Sequence, residues 1–172
     1  MKKTSSTEYG TPQQFFDTLN KEFHFTLDAC ASAENAKCER FYSKHEDSLD
    51  RDWSKDIVWM NPPYNGEISK WMKKAYTEAQ KGATVVCLIQ SRSTDSKMWH
   101  NYVMKASEWR FVADRLHFSL NGRSARANLS SVVVIFKPYY QDKPFPGVIK
   151  ISSINTKGER LQEIPIPMEL GV

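Results

Sequence analysis

Residues Asn61-Pro62-Pro63-Tyr64 place an amide, two imino acids and an aromatic ring in four consecutive positions. Each type has a use in one kind of chemistry, the alkylation of an amine conjugated to an aromatic ring. Such an amine is a poor nucleophile because its lone pair is delocalised into the ring. Two acceptors aimed at its hydrogens favour a more tetrahedral nitrogen and turn the lone pair toward an electrophile. The side-chain oxygen of Asn61 can be one acceptor and the backbone carbonyl of Pro62 the other. Consecutive prolines fix the backbone there and bring no N–H to compete. This is preorganised electrostatic stabilisation, which asks for no strong base. Tyr64 supplies a ring on which an extruded base can stack. The alternative is a rigid turn joining strand to helix. With Pro at about 5% of residues, an Asp/Asn/Ser-Pro-Pro-aromatic pattern arises by chance on the order of once per hundred chains of this length. Its position, after an apolar run and before an amphipathic one, lowers that further.

Those neighbouring runs are the elements that must position the motif. Residues 56–60 (DIVWM) read as a buried strand leading into Asn61. Residues 67–81 then set Ile68, Trp71, Met72, Ala75, Tyr76 and Ala79 on one helical face, and Gly82 closes the helix. Residues 84–89 and 131–136 are continuous apolar strands of the kind covered on both faces. Upstream, residues 12–22 form a helix with Thr11 as cap and Pro12 at its first position, and residues 23–29 form a short strand ending at Asp28. A short helix over 32–37 capped by Ser32, a strand at 40–43, a helix over 95–106 capped by Asp95, strands at 109–113 and 116–120, and a basic, turn-rich loop at 121–129 complete the reading. Residues 1–10 read as a loose amino-terminal segment. Residues 138–172, which carry five of the eight prolines, read as an appendage with at most a strand pair. The pattern is that of one α/β domain, its sheet mostly parallel and covered by helices on both faces. Ligands in such sheets bind beyond the carboxyl ends of the strands, where Asp28 and Asn61 both fall.

The 172 residues suit one domain with a substantial core. The net charge of +4 permits a nucleic-acid partner without requiring one. Cys30, Cys38 and Cys87 form no C-x-x-C pair, and His24 and His45 add no ligand spacing, so no metal is expected. An odd cysteine count, a start without an apolar run after its lysines, and no window of 18 apolar residues point to the cytoplasm rather than to a membrane.

The chain resembles the phage- and prophage-encoded Dam-like DNA adenine N6-methyltransferases and, more broadly, the class I amino-methyltransferases. The resemblance covers roughly residues 8–138. It rests on the order of Thr11-Pro12, Leu27-Asp28-Ala29-Cys30-Ala31-Ser32, Asp47-Ser48-Leu49 with Trp53, Asn61 to Tyr64, Trp71, and Ser131 to Phe136. It implies a Rossmann-like fold in abbreviated form, S-adenosyl-L-methionine as cofactor, and duplex DNA as partner with the target adenine flipped out. By the same resemblance the cofactor lies near Asp28, whose carboxylate meets the ammonium of the methionine moiety. Residues 29–32, Ala29 and Cys30 among them, follow its backbone, and Thr11-Pro12 border the same moiety. Asp47 accepts from the cofactor's adenine amine, with Leu49 and Trp53 walling the ring. Plainer readings stand beside these: Asp28 ends a strand, and Asp47 is one solvated carboxylate among Glu46, Asp50 and Asp52. Residues 28–36 hold no glycine, which argues against a nicotinamide or P-loop site. The acidic residue for the ribose is not placed by the resemblance, Glu34 being a candidate.

For DNA, Arg92 follows the strand at 84–89, Arg123 and Arg126 sit in the basic loop, and Arg115 with Phe118 resembles the family's Arg-Leu-x-Phe element. Arg115 could instead pair with Asp114 or Asp47. The same motif also serves methyltransferases of cytosine N4, of guanine amine in ribosomal RNA and of protein glutamine. The last two usually carry an added amino-terminal domain, whereas about ten residues precede the first motif here. A non-catalytic DNA-binding relic of the fold is the remaining class.

Overall fold

The computed structural model describes residues 10–120, 123–138 and 150–164. Helix α1 (Gln13–Phe23) is followed by β1 (Leu27–Asp28), a 3-10 turn at Ser48–Asp50, β2 (Ile57–Met60), α2 (Ile68–Lys81), β3 (Thr84–Gln90) and α3 (Lys97–Asn101). Strands β4 (Glu108–Val112), β5 (His117–Leu120), β6 (Arg123–Arg126), β7 (Ser131–Phe136), β8 (Lys150–Ile154) and β9 (Arg160–Ile164) complete the order. Seven strands form one sheet in the order β1-β2-β3-β7-β4-β8-β9, and β5 with β6 forms a separate hairpin.

Side chains of the central strands alternate between two cores. Val58, Met60, Val85, Cys87, Ile89, Val132, Val134 and Phe136 face Met72, Ala75 and Ala79 of α2, with Trp99 of α3 in the same cluster. Trp59, Val86, Leu88, Val133 and Ile135 face Phe15, Phe16, Leu19 and Phe23 of α1. Coverage on both faces is why these strands read as unbroken apolar runs. It also explains the single apolar stripe of each helix, every large side chain of which gains roughly 1.5–3 kcal/mol on burial. Phe16 meets the Trp59 ring edge-on at 5.5 Å, fixing α1 over β2.

The sheet is mixed rather than mostly parallel by pairing. Ladders β1–β2, β2–β3 and β4–β8 are parallel, and β3–β7, β4–β7 and β8–β9 antiparallel. The reason is that β7, reached through the hairpin, inserts between β3 and β4. Strands β1, β2, β3, β4 and β8 still run one way, so their carboxyl ends share one edge.

Local differences from the expected elements each have a cause. Residues 32–37 turn without forming a helix, because the Asp28 carboxylate accepts the N–H groups of Cys30 (3.2 Å) and Lys37 (3.0 Å) and pulls the segment into a loop. Of the strand expected at 40–43, one parallel pair remains, Phe41 with Asp28. Ser96, not Asp95, caps α3, which gives way to a 3-10 turn at Val103–Lys105. Within the loop expected at 121–129, residues 123–126 pair with β5 as a hairpin. In the segment 138–172, β8 and β9 do form a strand pair, and β8 also extends the main sheet alongside β4.

Charge also ties helix and loop to the sheet. Arg110, 1% exposed, donates to Glu22 through two bonds of 2.6 Å and to Glu108 at 2.8 Å, tying the end of α1 to β4. Arg40 holds Asp56 through two bonds of 2.8 Å just before β2.

Candidate active site

Parallel pairing sets Asp28 beside Trp59, and the N–H of Ala29 donates to the Trp59 carbonyl at 2.9 Å. Asn61 therefore emerges one strand away from the loop that follows β1, at the same edge. The prolines end β2 there, since neither can donate to a ladder. Asn61 is half-buried, and its Nδ2 donates to the Thr11 hydroxyl at 3.2 Å. Pro62 is buried. The Tyr64 hydroxyl donates to the Leu88 carbonyl on β3 at 3.3 Å. Burial pushes this phenol well above its ordinary range, against a smaller opposite pull from the Arg92 charge, so it stays protonated.

An open cleft of about 530 Å³ joins this motif to the loop after β1. One wall carries Ala29, Cys30, Ala31 and Asn35, another Tyr42, Ser43 and Lys44, a third Asp47, Ser48 and Leu49. Asn61 to Asn65, Glu67 and Trp71 complete it. Of the expected cofactor residues, Ala29, Cys30, Asp47 and Leu49 thus meet Asn61–Tyr64 in one cavity. Asp47 is exposed there and Leu49 half-buried. Burial, helped by the nearby Asp28 charge, pushes the Cys30 thiol up, so it lines the cleft as a neutral group.

Four other expected residues stand behind the cleft rather than on it. Asp28 is 3% exposed and spends its carboxylate on the 29–37 loop. Thr11 is 4% exposed with its hydroxyl on Asn61, and Pro12 occupies the cap of α1. Trp53 is fully buried, with the Lys74 ammonium 5.2 Å from its ring centroid, and walls nothing. Glu34 is fully exposed and outside the lining.

Asn35, Tyr42, Ser43 and Lys44 also line the cleft, though the sequence singled out none of them, and Trp71 of the resemblance joins them. For Tyr42 to Lys44 a signal existed. They end or directly follow the short extended segment at 40–43, and strand ends are where ligands bind in such sheets. Its single bridge to β1 sets them on the shared edge.

The cationic candidates lie along the same edge. Arg92 is exposed just beyond β3, and its carbonyl accepts from Trp99 Nε1 at 2.8 Å. Arg115 donates to the Asn128 carbonyl, and Arg126 pairs with Asp114 at 2.7 Å on the surface. The Arg123 side chain lies outside the described residues. Among the described residues no cluster of three His, Cys, Asp or Glu side chains is placed to hold a metal ion, and no helix is long and apolar enough to cross a membrane.

The chain is similar to two proteins named DNA N-6-adenine-methyltransferase. One, from Haemophilus phage HP1, is 27% identical over 143 residues, covering 80% of this chain and 82% of the relative. The other, from Escherichia phage T1, is 27% identical over 153 residues, covering 75% of this chain and 62% of the relative. The family described as DNA N-6-adenine-methyltransferase (Dam) matches residues 1–161, nearly the whole length, and it is to this family that the chain belongs.

Proposed function

We propose that the chain transfers the methyl group of S-adenosyl-L-methionine to the exocyclic N6 amine of adenine in duplex DNA, on an abbreviated Rossmann-like class I methyltransferase fold. The observation that carries this reading is the continuity of the cleft from Ala29–Ala31 and Asp47–Leu49 to Asn61–Tyr64, in a chain of this family.

The cleft fits such a cofactor. Its volume lies within the range of about 300–1,000 Å³ usual for small-molecule sites. Its lining offers an exposed carboxylate at Asp47, an apolar side chain at Leu49, aromatic rings at Tyr42 and Trp71, and small side chains along Ala29–Ala31. When bound, S-adenosyl-L-methionine supplies an electrophilic methyl group on a sulfonium. Asp47 accepts from the cofactor's adenine amine, with Leu49 against the ring. The loop Ala29–Ala31 follows its backbone.

The target base cannot be reached inside a duplex, so it is extruded, and Tyr64 gives it a stacking surface. Asn61 Oδ1 and the Pro62 carbonyl accept the two amine hydrogens, which turns the nitrogen lone pair toward the methyl group. Positive charge grows on that nitrogen as the bond forms, and the two acceptor dipoles offset it; the electron pair of the broken methyl–sulfur bond would stay on sulfur, and one amine proton passes to solvent. Arg92 and Arg126 contact phosphates.

The test is methyl transfer from isotopically labelled cofactor to duplex DNA, with nucleoside analysis by mass spectrometry. N6-methyladenine is the expected product. Asn61→Ala should lower the single-turnover rate by about a hundred- to a thousand-fold, the usual cost of losing one preorganised group, with cofactor affinity retained. A near-normal rate for Asn61→Ala sinks the proposed role. N4-methylcytosine as product leaves the chemistry standing and changes the substrate.

A further inference from the structure

We infer that Thr11 is a positioning residue for Asn61, acting through the side-chain amide rather than on the cofactor; the inference rests on the reading of Asn61 given above. The Thr11 hydroxyl accepts the Asn61 Nδ2 hydrogen at 3.2 Å, across 50 residues of sequence. Thr11 is 4% exposed and absent from the cleft wall, whereas Asn61 lines it.

The contact decides which end of the amide meets the substrate. With its nitrogen on Thr11, the amide turns its oxygen the other way. An amide flipped by 180° would instead offer donors to an amine that is itself a donor. The amide needs such a fixed partner because its terminal torsion is broad and close to two-fold.

Thr11 is itself held from two sides. The next residue, Pro12, starts α1, whose Phe15 and Phe16 are fixed in the core. The residue before it, Gly10, forms an antiparallel bridge with Ser119 of the hairpin, with N–H to carbonyl distances of 2.8 and 3.0 Å in the two directions. The hydroxyl is thus fixed by the helix on one side and by the hairpin on the other.

Three measurements test this. Thr11→Val keeps the shape and removes the acceptor, so the single-turnover rate at saturating cofactor and DNA should fall about threefold to tenfold, the scale of one net hydrogen bond. Calorimetric affinity for S-adenosyl-L-methionine should hold, and Thr11→Ser should recover most of the rate. In an Asn61→Ala background, Thr11→Val should cost nothing further. Independently of activity, the ¹⁵N side-chain amide signal of Asn61, assigned by its loss in Asn61→Ala, should shift in Thr11→Val and return in Thr11→Ser.

A Thr11→Val protein that binds cofactor weakly but turns over normally at saturation overturns the inference and puts Thr11 on the cofactor. So does a Ser variant as impaired as Val, which would reduce the residue to its methyl packing. An unmoved Asn61 amide signal also overturns it. Should the wild type methylate something other than adenine, the function proposed above changes, while the amide signal still decides the role of Thr11.

Discussion

The carboxylate of Asp28 builds the wall of the cleft without standing in it. Its oxygens accept the N–H groups of Cys30 and Lys37, and that pair of bonds shapes the loop that lines the cavity. Burial raises this carboxyl above its ordinary 3.8, against the Lys37 and Cys30 N–H groups and the Lys37 charge. A folded-state value above the unfolded one means that the native protein holds the proton more tightly. Stability from this group is therefore full at low pH and falls as pH rises from about 3.8 through the folded value, levelling off above it. Asp28→Asn cannot titrate. Its unfolding free energy relative to wild type should move in its favour between about pH 3.5 and about pH 7 in urea melts. A relative shift the other way would show that the two N–H bonds outweigh burial. Asp28→Ala leaves both N–H groups without an acceptor, which costs about 1–3 kcal/mol for each that stays buried. Tyr64→Phe keeps the ring and loses only the bond to Leu88, so it should retain most of the transfer rate. With 2-aminopurine at the target position, its fluorescence on flipping should match wild type, and loss of that signal would assign the work to the hydroxyl.

Helix α2 positions the other wall. Glu78 is fully buried on it and accepts the Trp53 N–H at 2.8 Å, while its second oxygen takes Lys74 and Lys81, each at 2.8 Å. Lys74 also donates to the Arg51 carbonyl at 2.5 Å. The helix thereby grips the segment that follows Asp47–Leu49. Burial acts to raise the Glu78 carboxyl, but the bonds from Lys74, Lys81 and the Trp53 N–H prevail and hold it below its ordinary 4.5. Its stabilising contribution is therefore present above about pH 4.5 and lost as pH falls through the folded value. Glu78→Ala leaves the Trp53 N–H and a mostly buried Lys74 without their partner, and should lower stability by about 2–4 kcal/mol. It should also weaken cofactor affinity by loosening Ser48 and Leu49. Urea melts and calorimetry read the two effects, and a variant of unchanged stability would remove Glu78 from this account. Gly82 ends the same helix at φ 127°, where a Cβ would come within 3.0 Å of the Ser54 carbonyl.

At the scale of the molecule, among the described residues, Arg110 is buried within the sheet against Glu22 and Glu108, while Arg92 and Arg126 are exposed. The ion pair of Arg126 with Asp114 is solvent-exposed on both sides, at 60% and 70%, and such pairs contribute only about 0–1 kcal/mol. A phosphate can therefore compete for the guanidinium. Each phosphate contact adds about 0.9 to the slope of log affinity against log salt. Arg92→Ala and Arg126→Ala should each lower that slope by about that amount and weaken binding uniformly across DNA sequences. If affinity and slope both stay put, these side chains are solvated surface.

The sequence by itself determined the parts that are local. Asn61–Tyr64 stood out because its residue types lie in four adjacent positions. The strands at 57–60, 84–90 and 131–136 and the helices at 13–23 and 68–81 were legible because burial on two faces or one writes a run or a stripe. Tertiary structure decided what depends on residues distant in the chain. Strand β7 enters between β3 and β4 because of how a hairpin folds back, and no periodicity records that. Residues 123–126 are polar and basic, and they became a strand through pairing with β5 rather than through any apolar pattern of their own. Asp28 turns inward, its carboxylate accepting two N–H groups of the loop that follows it. Thr11 reached Asn61, 50 residues on, only because α1 and the Gly10–Ser119 bridge brought it to the shared edge. Residue types can announce a chemistry, but which side chains line a cleft and which ones brace it is set by directions of approach that exist only once the sheet has formed.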